Sequence, residues 1–283
     1  MKADAPKRWL ITGVSSGLGL ALAEAALARG DSVAGTLRDR ARAEAFSASA
    51  PGRAHGLVCD VRDEAGVSAT IAEAARRMGG LDIVVNNAGY CLTSAFEEAT
   101  SDQIQAQFDV NVFGLMHVTR AALPIFRAAG AGRFINIASL AGVMGYPGMS
   151  LYAASKFAVV GFSDALAKET ARFGIRVTAV APSGFRTQFA GGSMQFGANE
   201  VADYQGLRQT LRERLAQSNG AQPNDPARGA EALLALADHP DPPAHFALGF
   251  DALGRIAEAI SGRLREYEQY APMGAATGFK ESA

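Results

Sequence analysis

At its first strand-to-helix junction the chain reads Thr12-Gly13-Val14-Ser15-Ser16-Gly17-Leu18-Gly19. The apolar run Trp9–Thr12 leads into this stretch, and an Ala- and Leu-rich helical pattern follows it. Gly13 permits a tight exit from the strand, Gly17 lets backbone N–H groups approach a pyrophosphate, and Gly19 lets the helix pack closely. The positive end of the helix would then face the anion. The residues predicted to contact a dinucleotide here are Gly13, Ser15, Ser16, Gly17, Leu18 and Gly19.

Short apolar runs rich in β-branched residues alternate with longer helical patterns along the rest of the chain. Parallel strands need long crossovers, and right-handed crossovers place helices on both faces of a sheet. The alternation predicts one doubly wound, Rossmann-type α/β domain over residues 1–283, with seven parallel strands. The predicted strands are Trp9–Thr12, Val33–Leu37, Gly56–Cys59, Ile83–Asn86, Arg133–Ala138, Arg176–Val180 and His245–Leu248. The predicted helices span residues 17–29, 63–78, 101–128, 152–173, 200–217, 227–238 and 251–265.

One segment interrupts this alternation. Between Ser183 and Asn199 the chain is rich in Gly, Phe and Met, which is typical of a mobile loop over a ligand site. We expect residues 183–217 to form a substrate cap and residues 254–283 to form a C-terminal extension of the same domain.

The composition argues against several classes of protein. With 27 basic and 28 acidic residues, the chain has no overall field that would hold nucleic acid or an anionic membrane. Cys59 and Cys91 fit neither a disulfide framework nor a zinc spacing, and the four histidines do not cluster with acids, so no metal is predicted. The polar start Met1–Arg8 lacks the apolar core of a signal peptide, and no apolar stretch is long enough to span a bilayer. A cytoplasmic location is therefore expected.

The end of the second predicted strand bears on the choice of cofactor. An acidic residue there would accept hydrogen bonds from a free ribose 2′-hydroxyl, whereas an arginine suits a 2′-phosphate. The strand ends Thr36-Leu37-Arg38, so Arg38 favours NADPH/NADP+ over NAD. Asp39 leaves two alternatives open, since it could cap the next helix or lie near the adenosine and weaken that preference.

A second group of polar residues follows the middle strands. Tyr152 and Lys156 are four positions apart, which places a phenol and an ammonium on one face of a helix. Ser139 comes directly after the fifth predicted strand, and Asn111 lies inside a long predicted helix. The stretch Asn86-Asn87-Ala88-Gly89 closes another strand at the expected cofactor edge. The four residues Asn111, Ser139, Tyr152 and Lys156 are the predicted catalytic group.

Together with the glycine-rich turn, these residues resemble the short-chain dehydrogenase/reductase family, and in particular its NADP-preferring carbonyl reductases. The resemblance extends from Trp9 to about Leu253. It implies that Asp60 and Val61 contact adenine and that Asn87 holds its strand against the cofactor. The other cofactor contacts that it implies are Ala88, Gly89, Tyr152, Lys156, Pro182, Ser183, Gly184 and Thr187.

The resemblance carries two further expectations. Ser183 follows Pro182 where many relatives have glycine, so the loop on the nicotinamide side is expected to differ in shape. Members of the family commonly pair through the two long helices that are predicted here at 101–128 and 152–173. A homodimer or homotetramer is therefore expected.

The residue types explain how the reaction would proceed. During hydride transfer to a ketone the carbonyl oxygen gains negative charge, so a proton donor and a hydrogen-bond donor must already face it. Tyr152 is predicted to donate the proton and Ser139 to orient the oxygen. The Lys156 cation is expected to lower the pKa of the phenol and can bind the nicotinamide ribose. The resemblance implies that Asn111 holds the water through which the proton is replaced.

These features predict an NADPH-dependent oxidoreductase that reduces a ketone or aldehyde to an alcohol, reversibly. Two alternatives stay open. One is reduction of a 3-oxoacyl thioester on a carrier protein, which would need an exposed basic patch near the mouth of the site. The other is a non-catalytic NADP-binding redox sensor, against which the presence of all four catalytic residues weighs.

The segments expected around the nicotinamide are largely apolar, and thioether side chains adapt to irregular ligands. Cys91 is expected to form part of the pocket wall, because no basic partner in sequence would make it a nucleophile. Arg186 is the main cation in these segments and could instead anchor an acid. The pattern favours an apolar ketone. The candidate wall residues are Leu92, Val143, Met144, Tyr146, Met149, Phe185, Phe189, Met194 and Phe196.

Overall fold

The computed structural model of the chain describes residues 6–277 and residue 279. Seven parallel strands form one sheet in the order β3-β2-β1-β4-β6-β7-β9. They are β1 (Arg8–Thr12), β2 (Ser32–Leu37), β3 (Ala54–Val58), β4 (Ile83–Asn86), β6 (Gly132–Ile137), β7 (Ile175–Pro182) and β9 (His245–Leu248). A second sheet has two strands, β5 (Cys91–Thr93) and β8 (Met194–Phe196). The predicted seven-stranded parallel sheet of a single doubly wound domain is confirmed.

Helices cover both faces of the large sheet. They are α1 (Gly17–Ala28), α2 (Arg40–Ser49), α3 (Glu64–Met78), α4 (Ser101–Phe108), α5 (Gly114–Ala129), α6 (Ser150–Thr170), α7 (Phe189–Gly192), α8 (Gln205–Ser218), α9 (Pro226–Asp238) and α10 (Ala252–Ala275). Side chains alternate along a strand, so Trp9 and Ile11 enter the core beneath α1 and α9, while Leu10 enters the core beneath α3 and α5. Because both faces are buried, the central strands are mostly apolar, and the buried amides of Asn86 and Asn136 bond to each other.

The strand order reverses between β1 and β4, which leaves a crevice at the carboxyl ends of these two strands. Ligands of doubly wound sheets bind at such a reversal. The glycine-rich turn follows β1, and the residues that close β4, β6 and β7 reach the same edge. The fold therefore gathers residues that lie as much as 170 positions apart, from Thr12 to Pro182.

Several elements differ from the sequence-based prediction. Helix α2 is missing from the predicted helices, although Asp39 begins it by accepting a hydrogen bond from the Arg42 N–H at 2.8 Å. The predicted helix 101–128 contains a π-helical segment, Asp109–Phe113, between α4 and α5. Strands β5 and β8 were not predicted, because three-residue strands carry no periodicity and these two pair across about 100 positions.

The predicted mobile loop between Ser183 and Asn199 contains α7 and β8, and β8 pairs with β5. Helix α10 continues to Ala275, ten residues past the predicted end, and covers most of the predicted extension 254–283. The rest of that extension, apart from residues 276, 277 and 279, lies outside the described residues. Among the residues that the structure describes, no helix is both long and apolar enough to cross a membrane. The cytoplasmic location stays a prediction.

Candidate active site

The glycine-rich turn has the backbone that its residues require. Gly13 and Gly17 have φ values of 73° and 65°, in the left-handed region where a Cβ is strained. A Cβ on Gly19 would collide with the Asn87 side chain and lie 2.7 Å from the Gly13 carbonyl oxygen. The first turn of α1 holds no acidic residue. The turn thus presents backbone N–H groups at a positive helix end, which suits a pyrophosphate.

Asn87 fastens this turn to the end of β4. Its Nδ2 donates to the carbonyl oxygens of Thr12 and Gly13, at 2.9 and 3.0 Å. The Thr12 hydroxyl in turn accepts from the N–H groups of Asn87 and Ala88, at 2.9 and 3.0 Å. The resemblance implied that Asn87 holds its strand against the cofactor, and the bonds found here join that strand to the phosphate turn.

At the predicted adenosine end, Arg38 is exposed at the end of β2, and the Asp39 carboxylate caps α2. Of the two alternatives for Asp39, capping is therefore the one found in the structure. Asp60 forms a 2.6 Å ion pair with Arg62. That hydrogen-bonded pair lowers the pKa of the Asp60 carboxyl, and the Arg38 charge lowers it further. Val61 is buried, and its side chain packs against Gly114 of α5.

Tyr152 and Lys156 lie on the buried face of α6, both less than a tenth exposed. The Lys156 ammonium is 5.8 Å from the centroid of the Tyr152 ring and donates to the Ile137 carbonyl oxygen at 2.8 Å. Ser139 follows β6, and its Oγ accepts from the Ala141 N–H at 3.0 Å. A Cβ on Gly89 would lie 3.6 Å from the Lys156 Nζ, so the end of β4 also reaches this group.

Burial sets the protonation of the two central groups. It raises the pKa of the Tyr152 phenol well above its usual range, and the Ser139 hydroxyl beside it acts in the opposite direction. Burial also lowers the pKa of Lys156 to about 8. Lys156 was expected to lower the phenol pKa. In the structure desolvation dominates instead, because the phenol is enclosed and the ammonium is turned toward Ile137.

Asn111 lies in the π-helical segment and joins three elements. Its Oδ1 accepts from the Tyr90 N–H at 3.1 Å, and its Nδ2 donates to the Tyr90 carbonyl oxygen at 3.0 Å. The same Nδ2 donates to Ser155 Oγ on α6 at 3.1 Å. The Asn111 side chain therefore connects Tyr90, the residue before β5, to α6. Such π-helical turns frequently occur at functional sites.

Residues after β7 complete the edge on the predicted nicotinamide side. The Thr187 side chain lies 3.6 Å from a Cβ built on Gly17, so it closes over the phosphate turn. Ser183 Oγ donates to Asp251 at 2.5 Å and accepts from Asn224 Nδ2 at 2.9 Å. Ser183, which stands where many relatives have glycine, thus bonds to the residue that precedes α10 and to the loop before α9.

The wall beside Tyr152 is apolar. A buried cluster joins Tyr152 to Cys91 and Ala153, with Tyr146, Met149, Phe189 and Met194 packed against it. The Cys91 side chain is fully buried, and burial raises the pKa of its thiol to about 11, so it is a neutral wall residue. Phe185 belongs elsewhere, since it packs against the core beneath α1 and α9. The Arg212 guanidinium lies 5.5 Å from the centroid of the Phe196 ring.

Arg186 is turned away from this wall. Its guanidinium is exposed and donates to the Gln222 carbonyl oxygen at 3.2 and 3.3 Å. Arg186 lines a groove beside α1, together with Gly17 and Glu24. It therefore lies on the side of the phosphate turn, and its guanidinium is engaged with the Gln222 carbonyl oxygen.

Several residues of the site were not predicted from the sequence. Gln107 holds the backbone on both sides of Cys91, and Ser155 accepts from Asn111. Their only signal is spacing, since Gln107 precedes Asn111 by one helical turn and Ser155 lies next to Lys156. No group of three or more His, Cys, Asp or Glu side chains that could hold a metal occurs within residues 6–277 or at residue 279.

Comparison with known proteins agrees with this geometry. A sequence profile of the short chain dehydrogenase family matches residues 7–196. Oxidoreductase BOA17 from Botryotinia fuckeliana is 38% identical over 259 residues, which cover 90% of this chain and 94% of that protein. A 3-ketodihydrosphingosine reductase from Bacteroides thetaiotaomicron is 39% identical over 184 residues, covering 65% of this chain and 66% of that protein.

Solved structures give the same result. A short-chain dehydrogenase from Streptomyces avermitilis superimposes with a TM-score of 0.89 at 37% identity, over 97% of this chain and 100% of that chain. Two further structures share the fold at lower identity. ElxO with NADP bound has a TM-score of 0.74 at 24% identity, over 88% of this chain and 100% of that chain. A short chain dehydrogenase/reductase from Burkholderia phymatum in complex with NAD has a TM-score of 0.78 at 22% identity, over 100% of both chains. Fold and site define an oxidoreductase that works with a nicotinamide dinucleotide. The chain belongs to the short-chain dehydrogenase family.

Proposed function

We propose that the protein uses NADPH to reduce a ketone or aldehyde to an alcohol, with Tyr152 as the proton donor. The observation that carries the proposal is the buried group at the end of β6 and on α6. There, burial keeps the Tyr152 phenol protonated next to the Ser139 hydroxyl. A neutral phenol is the form that can give a proton to a carbonyl oxygen.

When bound, the reduced nicotinamide supplies the hydride. Tyr152 gives its phenolic proton to the carbonyl oxygen as negative charge develops there, and Ser139 donates a hydrogen bond to the same oxygen. Lys156 holds the nicotinamide ribose, and with a pKa lowered to about 8 by burial it is largely protonated at neutral pH. Asn111 anchors β5 to α6 beside these groups, in line with a role in replacing the proton.

The preference for NADPH over NADH rests on the adenosine end. Arg38 is exposed at the end of β2, where a ribose 2′-phosphate would arrive, and its guanidinium can bind phosphate through two hydrogen bonds. Asp39 caps α2 through the Arg42 N–H, and Asp60 is paired with Arg62. Both carboxylates next to Arg38 thus have partners of their own, and neither forms an ion pair with the Arg38 guanidinium.

The substrate class follows from the wall beside Tyr152. Thioether, thiol and aromatic side chains line it, and Arg186 points away from it. We propose an apolar or aromatic ketone, with residues 183–217 as the cap. A relative named for reduction of a 3-keto lipid base agrees with a long apolar ketone. The carrier-thioester alternative is less well supported, because Arg255 and Arg263 beside this wall are engaged with Asp251, Tyr146 and the Val143 carbonyl.

A ketone panel tests the proposal. Aryl and medium-chain keto esters and their matching free acids are offered with NADPH and with NADH, while the absorbance of the reduced nicotinamide is followed. We expect NADPH turnover, with a higher kcat/KM for each ester than for its acid. Higher kcat/KM for the acids would refute the apolar pocket, and binding of NADPH without turnover of any carbonyl would favour the redox sensor.

We also propose that two or four copies associate through the helices at residues 101–128 and 152–173. Phe113 and Phe157 are large apolar side chains on these helices, and they are 44% and 37% exposed. Exposed aromatic residues on two adjacent long helices are typical of a subunit interface. Sedimentation of the wild-type protein tests this expectation, and a monomer across the micromolar range would contradict it.

A further inference from the structure

The side-chain amide of Gln107, a buried residue of α4, hydrogen-bonds to the edge of β5 that does not pair with β8. The Gln107 side chain is fully buried. Its Oε1 accepts from the Leu92 N–H at 2.7 Å, and its Nε2 donates to the Tyr90 carbonyl oxygen at 2.9 Å. In a parallel ladder one residue bonds in this way to the residues on either side of the one it faces. The carboxamide of Gln107 therefore takes the place of a strand residue opposite Cys91.

The other edge of β5 belongs to the segment 183–217. The Cys91 N–H donates to the Ser193 carbonyl oxygen at 2.9 Å, and β8 continues the parallel pairing. Strand β5 is thus hydrogen-bonded to β8 along one edge and to the Gln107 side chain along the other. Without Gln107, the buried Leu92 N–H would lose its partner, which is costly, and the Tyr90 carbonyl oxygen would keep only its bond from Asn111.

Gln107 also acts on Asn111. The Tyr90 carbonyl oxygen accepts from both side chains, at 2.9 Å from Gln107 and 3.0 Å from Asn111. The two amides are one helical turn apart and hold one peptide unit between them. Cys91, the next residue, packs against Tyr152. A shift of this peptide would move Asn111 and the pocket wall together.

We propose that Gln107 is a positioning residue of this active site, which sets the place of Asn111 and of the Cys91 wall against Tyr152. Its two hydrogen bonds go to the backbone on either side of Cys91, so it acts through the backbone of β5. The kinetic part of this inference rests on the proposed reductase function, and a thiol-labelling part does not.

The kinetic test compares Gln107→Leu and Gln107→Glu with the same changes at Gln105, an exposed residue of the same helix. Leucine removes both hydrogen bonds, so we expect kcat/KM for the best ketone to fall tenfold or more. The Kd for NADPH should stay within twofold. Gln105 variants should behave as wild type. A Gln107→Leu enzyme within twofold of wild type would overturn the proposal.

The activity of Gln107→Glu should depend on pH in a way that a general loss of stability would not produce. A protonated carboxyl can donate to Tyr90 and accept from Leu92, as the amide does, whereas the carboxylate repels the Tyr90 carbonyl oxygen. Its activity relative to wild type should therefore approach one at low pH and fall tenfold or more as pH rises. The titratable groups on neighbouring elements, Tyr90, Cys91, Asp109, Tyr152 and Lys156, are common to all the variants and cancel in this ratio. A ratio independent of pH would contradict the proposal.

Thiol labelling tests the wall without any turnover. Cys91 has no exposed surface, so iodoacetamide should modify it slowly in the wild-type protein. In Gln107→Leu the released strand should make Cys91 react at least tenfold faster, while Cys59 and the Gln105→Leu control stay unchanged. Equal acceleration at both cysteines would indicate general loosening and overturn the proposal. If wild type reduces no ketone, the proposed function fails while labelling still decides the role of Gln107.

Discussion

On the cofactor side of the site, the backbone itself takes the required shape, through Gly13 and Gly17 at positive φ and through the close approach of Gly19 to Asn87. On the substrate side, the amides of Gln107 and Asn111 hold a three-residue strand in place from outside. The first construction depends mainly on the backbone of neighbouring residues, with Asn87 as a distant support. The second depends on side chains that reach across to a distant segment.

The cofactor side and the substrate side therefore tolerate amino-acid substitutions differently. A phosphate group is the same in every dinucleotide, so a locally encoded turn serves it well. A substrate wall that is held by side chains can be reshaped by exchanging those side chains, while the sheet stays intact. We therefore expect substitutions on the cofactor side to affect binding of any dinucleotide, and substitutions on the substrate side to affect turnover.

The largest expected effect is that of Tyr152→Phe. Loss of the proton donor should lower kcat by about 10²- to 10⁴-fold, while the Kd for NADPH stays within twofold, because almost no volume is removed. Tyr270→Phe on the exposed part of α10 serves as the control and should match wild type. Stopped-flow and fluorescence titration measure the two quantities. A Phe variant with native kcat would remove Tyr152 from the role of acid.

Gly19→Ala tests the close packing on the cofactor side. The added methyl meets the Asn87 amide and the Gly13 carbonyl, so we expect a loss of about 1–3 kcal/mol in the free energy of unfolding. NADPH binding should weaken with it. Gly254→Ala in α10 meets nothing within 4 Å and should stabilise the protein by up to about 1 kcal/mol. Chemical denaturation compares the two, and equal stabilities would show that the turn tolerates a side chain.

Arg38→Leu tests whether the predicted adenosine end distinguishes NADPH from NADH. Charge-assisted bonds to phosphate contribute roughly 1.5–3 kcal/mol, so the Kd for NADPH should rise about tenfold or more while that for NADH changes little. Arg127→Leu, at the end of α5 where β6 begins, removes an exposed charge from the opposite edge of the sheet and should leave both constants unchanged. Native NADPH affinity in Arg38→Leu would place the 2′-phosphate elsewhere.

The smallest expected effect is a decrease in kcat/KM for NADPH as the pH rises. The pH dependence of kcat/KM reports the pKa values of groups in the free enzyme. Burial lowers the pKa of Lys156 to about 8, so the charged form is lost as pH rises through that value. We expect a fall of about twofold between pH 7 and pH 8 and a steeper fall above. Tyr152 keeps its proton over this range, because burial raises its pKa. A flat profile up to pH 9 would exclude Lys156 as the group concerned.

Much of the fold was accessible from the sequence, because apolar strands and glycine-terminated helices leave local signals. The seven strands of the large sheet were predicted, whereas α2 and the pair β5 and β8 were not. Helix α2 buries only two of its residues, Ala43 and Phe46, so its apolar pattern is weak. The small sheet is non-local, and nothing in Cys91–Thr93 identifies Met194–Phe196 as its partner.

For the candidate site, the sequence alone determined the phosphate turn, the Tyr152 and Lys156 pair and the residues that close β4 and β6. These depend on backbone conformation, helical spacing and strand ends, which neighbouring residues dictate. Only the tertiary structure decided that Arg186 turns away, that burial raises the phenol pKa and that Gln107 completes β5. Solvent exclusion and hydrogen bonds between distant segments depend on how the whole chain packs, and no short stretch of sequence contains that information.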